Sequence, residues 1–176
     1  HGYTIVKNYL DKGEIKYYRA EVERIAEQVG DNTSAPPAGA QQIIQNDRII
    51  NNIHFHSDAF LDLISYGKHI EILSPFLNDE WYGLIPPNRP NFILAQCNCR
   101  ESSTALPYHV DVRLKSPGHQ SWSMQCILAL GERHKENGGL IVINGSHKND
   151  RLKPNLADLE NEVFVDLEEG DMVIFH

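Results

Sequence analysis

The feature that most constrains this chain is a change of pattern near Asn91. Before it, apolar residues recur at helical spacing. After it come five short β-rich segments, Phe92 to Cys99, Ser121 to Leu130, Leu140 to Asn144, Glu162 to Leu167 and Asp171 to Phe175, separated by Gly, Pro and Asn turns. Helices first and short strands afterwards predict an α+β or mainly β architecture, with helices buttressing one face of an antiparallel sandwich or barrel. Barrels of this kind carry binding sites in their mouths.

The N-terminal elements are legible individually. Tyr3 to Tyr9 is rich in β-formers, and Asp11 followed by Glu14 has capping-box spacing for a helix from Lys12 to about Val29. Ile15, Tyr18, Val22, Ile25 and Val29 make one apolar stripe on that helix, so it packs against something flat. Gly30 to Ala40 reads as a loop. A strand is expected over Arg48 to Ile53, a helix capped by Ser57 with Phe60, Leu61 and Ile64 on it, and a second helical piece over Lys68 to Leu77. Pro86, Pro87 and Pro90 break the pattern.

Composition removes several function classes. A chain of 176 residues with 41% hydrophobic and 23% charged residues suits a single domain able to bury a core. A net charge of −8 without a Lys/Arg cluster gives no footprint for nucleic acid or an anionic membrane. Apolar runs are far too short for a membrane span and no signal peptide is recognisable, so a cytoplasmic protein is expected. Cys97, Cys99 and Cys126 form no CxxC pair or zinc quartet, and reduced thiols are the simpler reading. The sequence opens without Met and stops at His176 directly after an apolar strand, which predicts that the natural domain continues past residue 176.

The sharpest chemical feature is Tyr108-His109-Val110-Asp111. In an extended segment residues two apart project to the same side, so His109 and Asp111 can meet one metal ion. An imidazole and a carboxylate are two-thirds of the 2-His-1-carboxylate facial triad, which leaves coordination positions open for a bidentate cosubstrate and dioxygen on Fe(II). In a chain with nine histidines HxD alone is a weak signal, and the context raises it.

That context is Asn137-Gly138-Gly139-Leu140-Ile141-Val142-Ile143-Asn144-Gly145-Ser146-His147-Lys148, followed by Glu169-Gly170-Asp171-Met172-Val173-Ile174-Phe175-His176. In this order the segments resemble the phytanoyl-CoA dioxygenase family of Fe(II)/2-oxoglutarate oxygenases, which pair HxD with an NGxLxxxPGSHK-like hairpin and a GDxxxF strand. Gly2 to Leu10 also resembles that family's first strand and helix entry. The hairpin departs at Asn144, where the family usually has proline.

The resemblance implies a double-stranded β-helix, or jelly roll, of the cupin-like barrel type, faced by N-terminal helices. It implies that His109 and Asp111 are the first two iron ligands, that a third histidine follows several residues beyond His176, and that a basic residue for the distal carboxylate of 2-oxoglutarate lies further on. His176 itself is the lesser candidate for the third ligand. The implied cofactors are Fe(II), 2-oxoglutarate and O2, and the implied reaction is hydroxylation of a small molecule, or its desaturation or cyclisation, with release of succinate and CO2. Halogenases of the superfamily have a small residue where this chain has Asp111, which argues against halogenation.

Strand alternation puts Gln96 and Asn98 on the polar face of one strand and Gln125 with Ser123 and Ile127 on one side of another, and by the resemblance Gln96, Asn98 and Gln125 are candidate cosubstrate contacts. Arg113 and Trp122, near the dyad in sequence, are candidate substrate contacts. Other residues read more simply as structural. His54 and His56 are capping or surface histidines, His147 supports a turn, His119 and His134 are solvated, Asp171 bonds backbone at a turn, and Trp81 and Tyr82 pack. Two rivals remain: a cupin-like metal enzyme without 2-oxoglutarate, and a non-catalytic jelly-roll binding module. The sequence indicates neither substrate identity nor oligomeric state.

Overall fold

The computed structural model describes residues 1–29, 48–77, 96–99, 107–111, 123–148 and 153–176. Its elements in chain order are β1 (Tyr3–Val6), α1 (Lys12–Val29), β2 (Arg48–Asn51), α2 (Asp58–Tyr66), α3 (His69–Leu77), β3 (Gln96–Cys99), β4 (Gln125–Leu128), β5 (Leu140–Ile143), α4 (Leu156–Leu159), β6 (Glu162–Val165) and β7 (Met172–Phe175). Helices thus precede most of the strands. Each observed strand falls within a segment expected from sequence.

Local chemistry starts the helices where the sequence predicts. The Asp11 amide donates to Glu14 Oε2 and the Glu14 amide to Asp11 Oδ1, each at 2.8 Å, closing a reciprocal capping box on α1. Ser57 caps α2 by accepting from the Ala59 amide.

Four antiparallel pairings build three sheets among the described residues. β7 lies between β1 and β4, with Ile5 and Ile127 both opposite Val173, while β2 pairs with β3 and β5 with β6. Alternation then sorts the side chains of the β1–β7–β4 sheet onto two faces. On one, Met172 and Ile174 meet Ile15, Tyr9, Leu10 and Leu73, with Cys126 and Leu128 packed around them. On the other, Val173 and Ala129 meet Val165 and Leu167, with Ile5, Ile127, Leu140, Val142 and Phe175 alongside. Helices therefore cover one face and the β5–β6 hairpin the other.

The stripe on α1 is shared between two clusters. Ile15 joins the sheet face, whereas Val22 and Ile25 pack on Ile50, Ile53 and Phe60. Burying one such aliphatic side chain stabilises by roughly 1.5–3 kcal/mol, so this single helix anchors both the sheet and α2. Gly170, at φ +86°, makes the turn into β7, and a Cβ there would stand 2.5 Å from the Leu10 carbonyl oxygen. Among the described residues no helix is long and apolar enough to cross a membrane.

Candidate metal centre

The dyad expected from sequence is brought together. His109 Nε2 stands 3.2 Å from Asp111 Oδ1, with about half of the His109 side chain open to solvent. His109 Nδ1 lies 2.8 Å from the Pro107 carbonyl oxygen. A carbonyl can only accept, so Nδ1 carries the proton and donates, which leaves the Nε2 lone pair to face the carboxylate. Two lone pairs at this distance repel unless a cation lies between them, either a second proton on the ring or a metal ion.

The spacing fits a metal. Donors about 2.1 Å from one ion and about 90° apart lie about 3.0 Å from each other. The Pro107 carbonyl meanwhile orients the ring and fixes its tautomer, as the partners behind metal-bound histidines generally do. Among the described residues no group of three or more His, Cys, Asp or Glu side chains could hold a metal, and a facial triad built on His109 and Asp111 would draw its third ligand from outside them.

The residue before His109 ties this segment to the hairpin. The Tyr108 hydroxyl donates to Glu162 Oε1 at 2.5 Å. Burial, then the bond to Glu162 and its charge, push the phenol up to about 12. Nothing in the sequence announces this partnership, since the two residues are 54 positions apart. Tyr108 adjoins the HxD motif, but Glu162 reads only as the first residue of a strand.

The other candidates are placed unequally. Gln125 sits opposite Phe175 at the start of β4, with Ile127 and Ala129 next on the same alternating face, both in the inter-sheet cluster. Gln96 and Asn98 belong to β3, paired with Asn51 and Ile49, at positions alternating with Cys97, the partner of Ile50. Arg113 and Trp122 lie outside the described residues, as do His119, Trp81 and Tyr82.

The histidines and acid assigned structural roles mostly keep them. Asp171, only 1% exposed, accepts from the Asn8 and Glu168 amides and from Lys7 Nζ. His134 precedes a short 3-10 turn and pairs with Glu136. His147 lies against Gly2 and faces His176 with ring centroids 5.9 Å apart, and its Nδ1 is buried without a partner among the described residues. Its pKa is lowered by burial, then by His176.

Comparison with known proteins decides the family. The model of the family described as phytanoyl-CoA dioxygenase matches residues 1–176. The chain belongs to the phytanoyl-CoA dioxygenase family. Its members are non-haem iron oxygenases that use Fe(II), 2-oxoglutarate and O2.

No curated protein sequence matches this family member. Solved structures do. HygX from Streptomyces hygroscopicus, with nickel and 2-oxoglutarate bound, is 16% identical, with a TM-score of 0.69 over 99% of this chain and 72% of its own. The non-haem α-ketoglutarate-dependent carbocyclase SnoK from nogalamycin biosynthesis is 17% identical, with a TM-score of 0.69 over 100% of this chain and 70% of its own. The epimerase SnoN, in complex with Fe3+, α-ketoglutarate and nogalamycin RO, is 18% identical, with a TM-score of 0.59 over 99% and 69%. This phytanoyl-CoA dioxygenase-family chain shares their fold.

Proposed function

We propose that this family member is a 2-oxoglutarate-dependent dioxygenase that hydroxylates a small molecule, or desaturates or cyclises it, within one double-stranded β-helix domain. The observation that carries the reading is the His109 Nε2–Asp111 Oδ1 contact of 3.2 Å, with the other ring nitrogen already committed to Pro107. His109 and Asp111 are two iron ligands, completed by a further histidine outside the described residues. Ferrous iron held there supplies the redox chemistry that couples oxidative decarboxylation of 2-oxoglutarate, giving succinate and CO2, to oxidation of a substrate C–H bond by O2.

The chain's own groups do the rest. Pro107 holds the His109 ring in the tautomer that presents a lone pair. Asp111 fills a coordination position with carboxylate and so denies it to halide, which favours oxygenation over halogenation. Gln125, at the inter-sheet face, is assigned with Gln96 and Asn98 to the cosubstrate, and Arg113 and Trp122 to the substrate. That HygX and SnoN bind natural products supports a small-molecule substrate for this chain also.

The test is an anaerobic titration of the complete protein with Fe(II) and then 2-oxoglutarate, watching for the visible charge-transfer band of a 2-oxo acid chelated to ferrous iron. A band lost in Asp111→Ala is expected. Iron binding without a band would point to a metal enzyme that does not use 2-oxoglutarate, and neither iron nor band to a binding module.

A further inference from the structure

Residues 107–111 carry the proposed ligands, yet both ligand side chains are substantially open to solvent. The Pro107–His109 bond is local and cannot set where the segment stands in the molecule. Among the described residues, the Tyr108–Glu162 hydrogen bond is the one that links this segment to another element. Glu162 is a firm anchor. It opens β6 opposite Ile143, and the next rung is closed by the Asn144 amide donating to the Asn161 carbonyl at 2.9 Å. A proline at position 144 could not make that bond.

The geometry also separates anchor from ligands. Along β6, Val165 is buried in the inter-sheet core while Phe164 is exposed, so Glu162 shares the outward face with Phe164. Tyr108 makes its bond to Glu162 while His109 and Asp111 meet each other, so the tether uses neither of the proposed ligand side chains.

We propose that Tyr108 is a positioning residue for the metal dyad: its hydrogen bond to Glu162 fixes the height of residues 107–111 on the β5–β6 hairpin, and with it the place of the iron. The assignment rests on reading His109 and Asp111 as iron ligands. A site works only when its ligands stand within about 0.5 Å of the productive geometry. A half-exposed segment without its tether explores more than that.

The experiment compares Tyr108→Phe, Glu162→Leu, Glu162→Gln and the Phe/Leu double variant in the complete protein, by anaerobic Fe(II) titration and by the spectrum of the 2-oxoglutarate complex. Tyr108→Phe and Glu162→Leu each weaken Fe(II) about tenfold, and the double variant is no weaker than either, because both remove one bond. Glu162→Gln keeps an oxygen that accepts from the phenol and stays within about threefold of wild type. The charge-transfer band shifts or broadens in Tyr108→Phe and returns to its wild-type position in Glu162→Gln. A merely structural contact would lower the apo melting temperature and leave the band where it was.

Unaltered Fe(II) affinity in Tyr108→Phe, additive losses in the double variant, or equal losses in Glu162→Gln and Glu162→Leu would each overturn the positioning role. If wild type binds iron with its band and Tyr108→Phe does the same, the positioning role alone is lost. If wild type binds no iron, the dyad assignment falls with it.

Discussion

Lys7 Nζ and Asp171 Oδ2 lie 2.7 Å apart although 164 positions separate them in the chain. Asp171 Oδ1 also accepts from the Asn8 amide and Oδ2 from that of Glu168. Beside them the Leu10 amide donates to the Gly170 carbonyl and the Gly170 amide to the Ala129 carbonyl. One buried carboxylate therefore clamps the exit of β1 onto the turn that enters β7, while the backbone of Gly170 and Asp171 bonds Ala129 at the end of β4.

Asp171→Asn is expected to destabilise the protein by about 2–4 kcal/mol, since the amide cannot satisfy the Lys7 ammonium and two backbone donors together. Burial raises the Asp171 carboxyl, but the Lys7 ammonium and the two amides outweigh it and leave the group below the ordinary aspartate value of 3.8. The unfolded chain then holds more protons than the folded one just below that value. The contribution is complete above about pH 4 and is lost as pH falls through the folded value. Urea unfolding at pH 7 and at pH 3 checks this: the gap between wild type and Asp171→Asn should shrink in acid, and an unchanged gap would refute it.

How far the sequence is legible depends on the range of the interaction. The Asp11–Glu14 box, the α1 stripe and the Ser57 cap are contacts within one turn of helix, and residue spacing states them outright. His109 and Asp111 are legible for the same reason, since two positions along an extended run suffice. Asp171 is half legible: Gly170-Asp171 signals a turn with a backbone-bonded carboxylate, but no spacing names Lys7 as its partner. Glu162 carries no local signal, because Tyr108 reaches it only after the chain has folded and β6 has paired. The buried Tyr9–His69 pair is invisible likewise, since α3 must first pack on the sheet.

His69 gives the fold a second pH dependence. Its ring, buried and 2.8 Å from the Tyr9 hydroxyl, titrates below the ordinary histidine value of 6.5, because burial disfavours the charged form more than the bond to the Ile64 backbone favours it. The unfolded chain binds the proton first on acidification, so stability is full above pH 6.5 and declines as pH falls toward the folded value. His54 and His147 shift the same way. His69→Asn, which can still pair with Tyr9, should flatten the fall in denaturant midpoint between pH 7 and pH 5 without abolishing it. An identical slope in wild type and variant would assign the effect elsewhere.

Cys126 is expected to be unreactive in the native protein. It sits on the helix-facing side of the sheet, packed on the cluster of Met172 and Ile174, and burial pushes its thiol up to about 11. At pH 8 that leaves thiolate on the order of a hundredfold scarcer than for an ordinary cysteine near 8.5. Iodoacetamide labelling followed by peptide mass analysis should modify Cys126 in urea and spare it under native conditions. Comparable native and denatured rates would show that the helix face does not exclude solvent as described.

Metal binding should be readable as stability, independently of turnover. A ligand that binds only the folded protein stabilises it by about 2.7 kcal/mol at a hundred times its dissociation constant. For a chain of this size that raises the melting temperature by roughly 5–10 °C. Ni(II), present in the HygX structure, is an air-stable probe for this purpose. Wild type should show the rise with Ni(II) and 2-oxoglutarate and lose it on chelation, whereas Asp111→Ala should melt like apo wild type under every condition, because among the described residues its carboxylate pairs with His109 alone. A rise that persists in Asp111→Ala would mean that the stabilising metal sits elsewhere. A lower apo melting temperature in that variant would mean that the 3.2 Å contact of His109 with Asp111 already serves the fold without a metal.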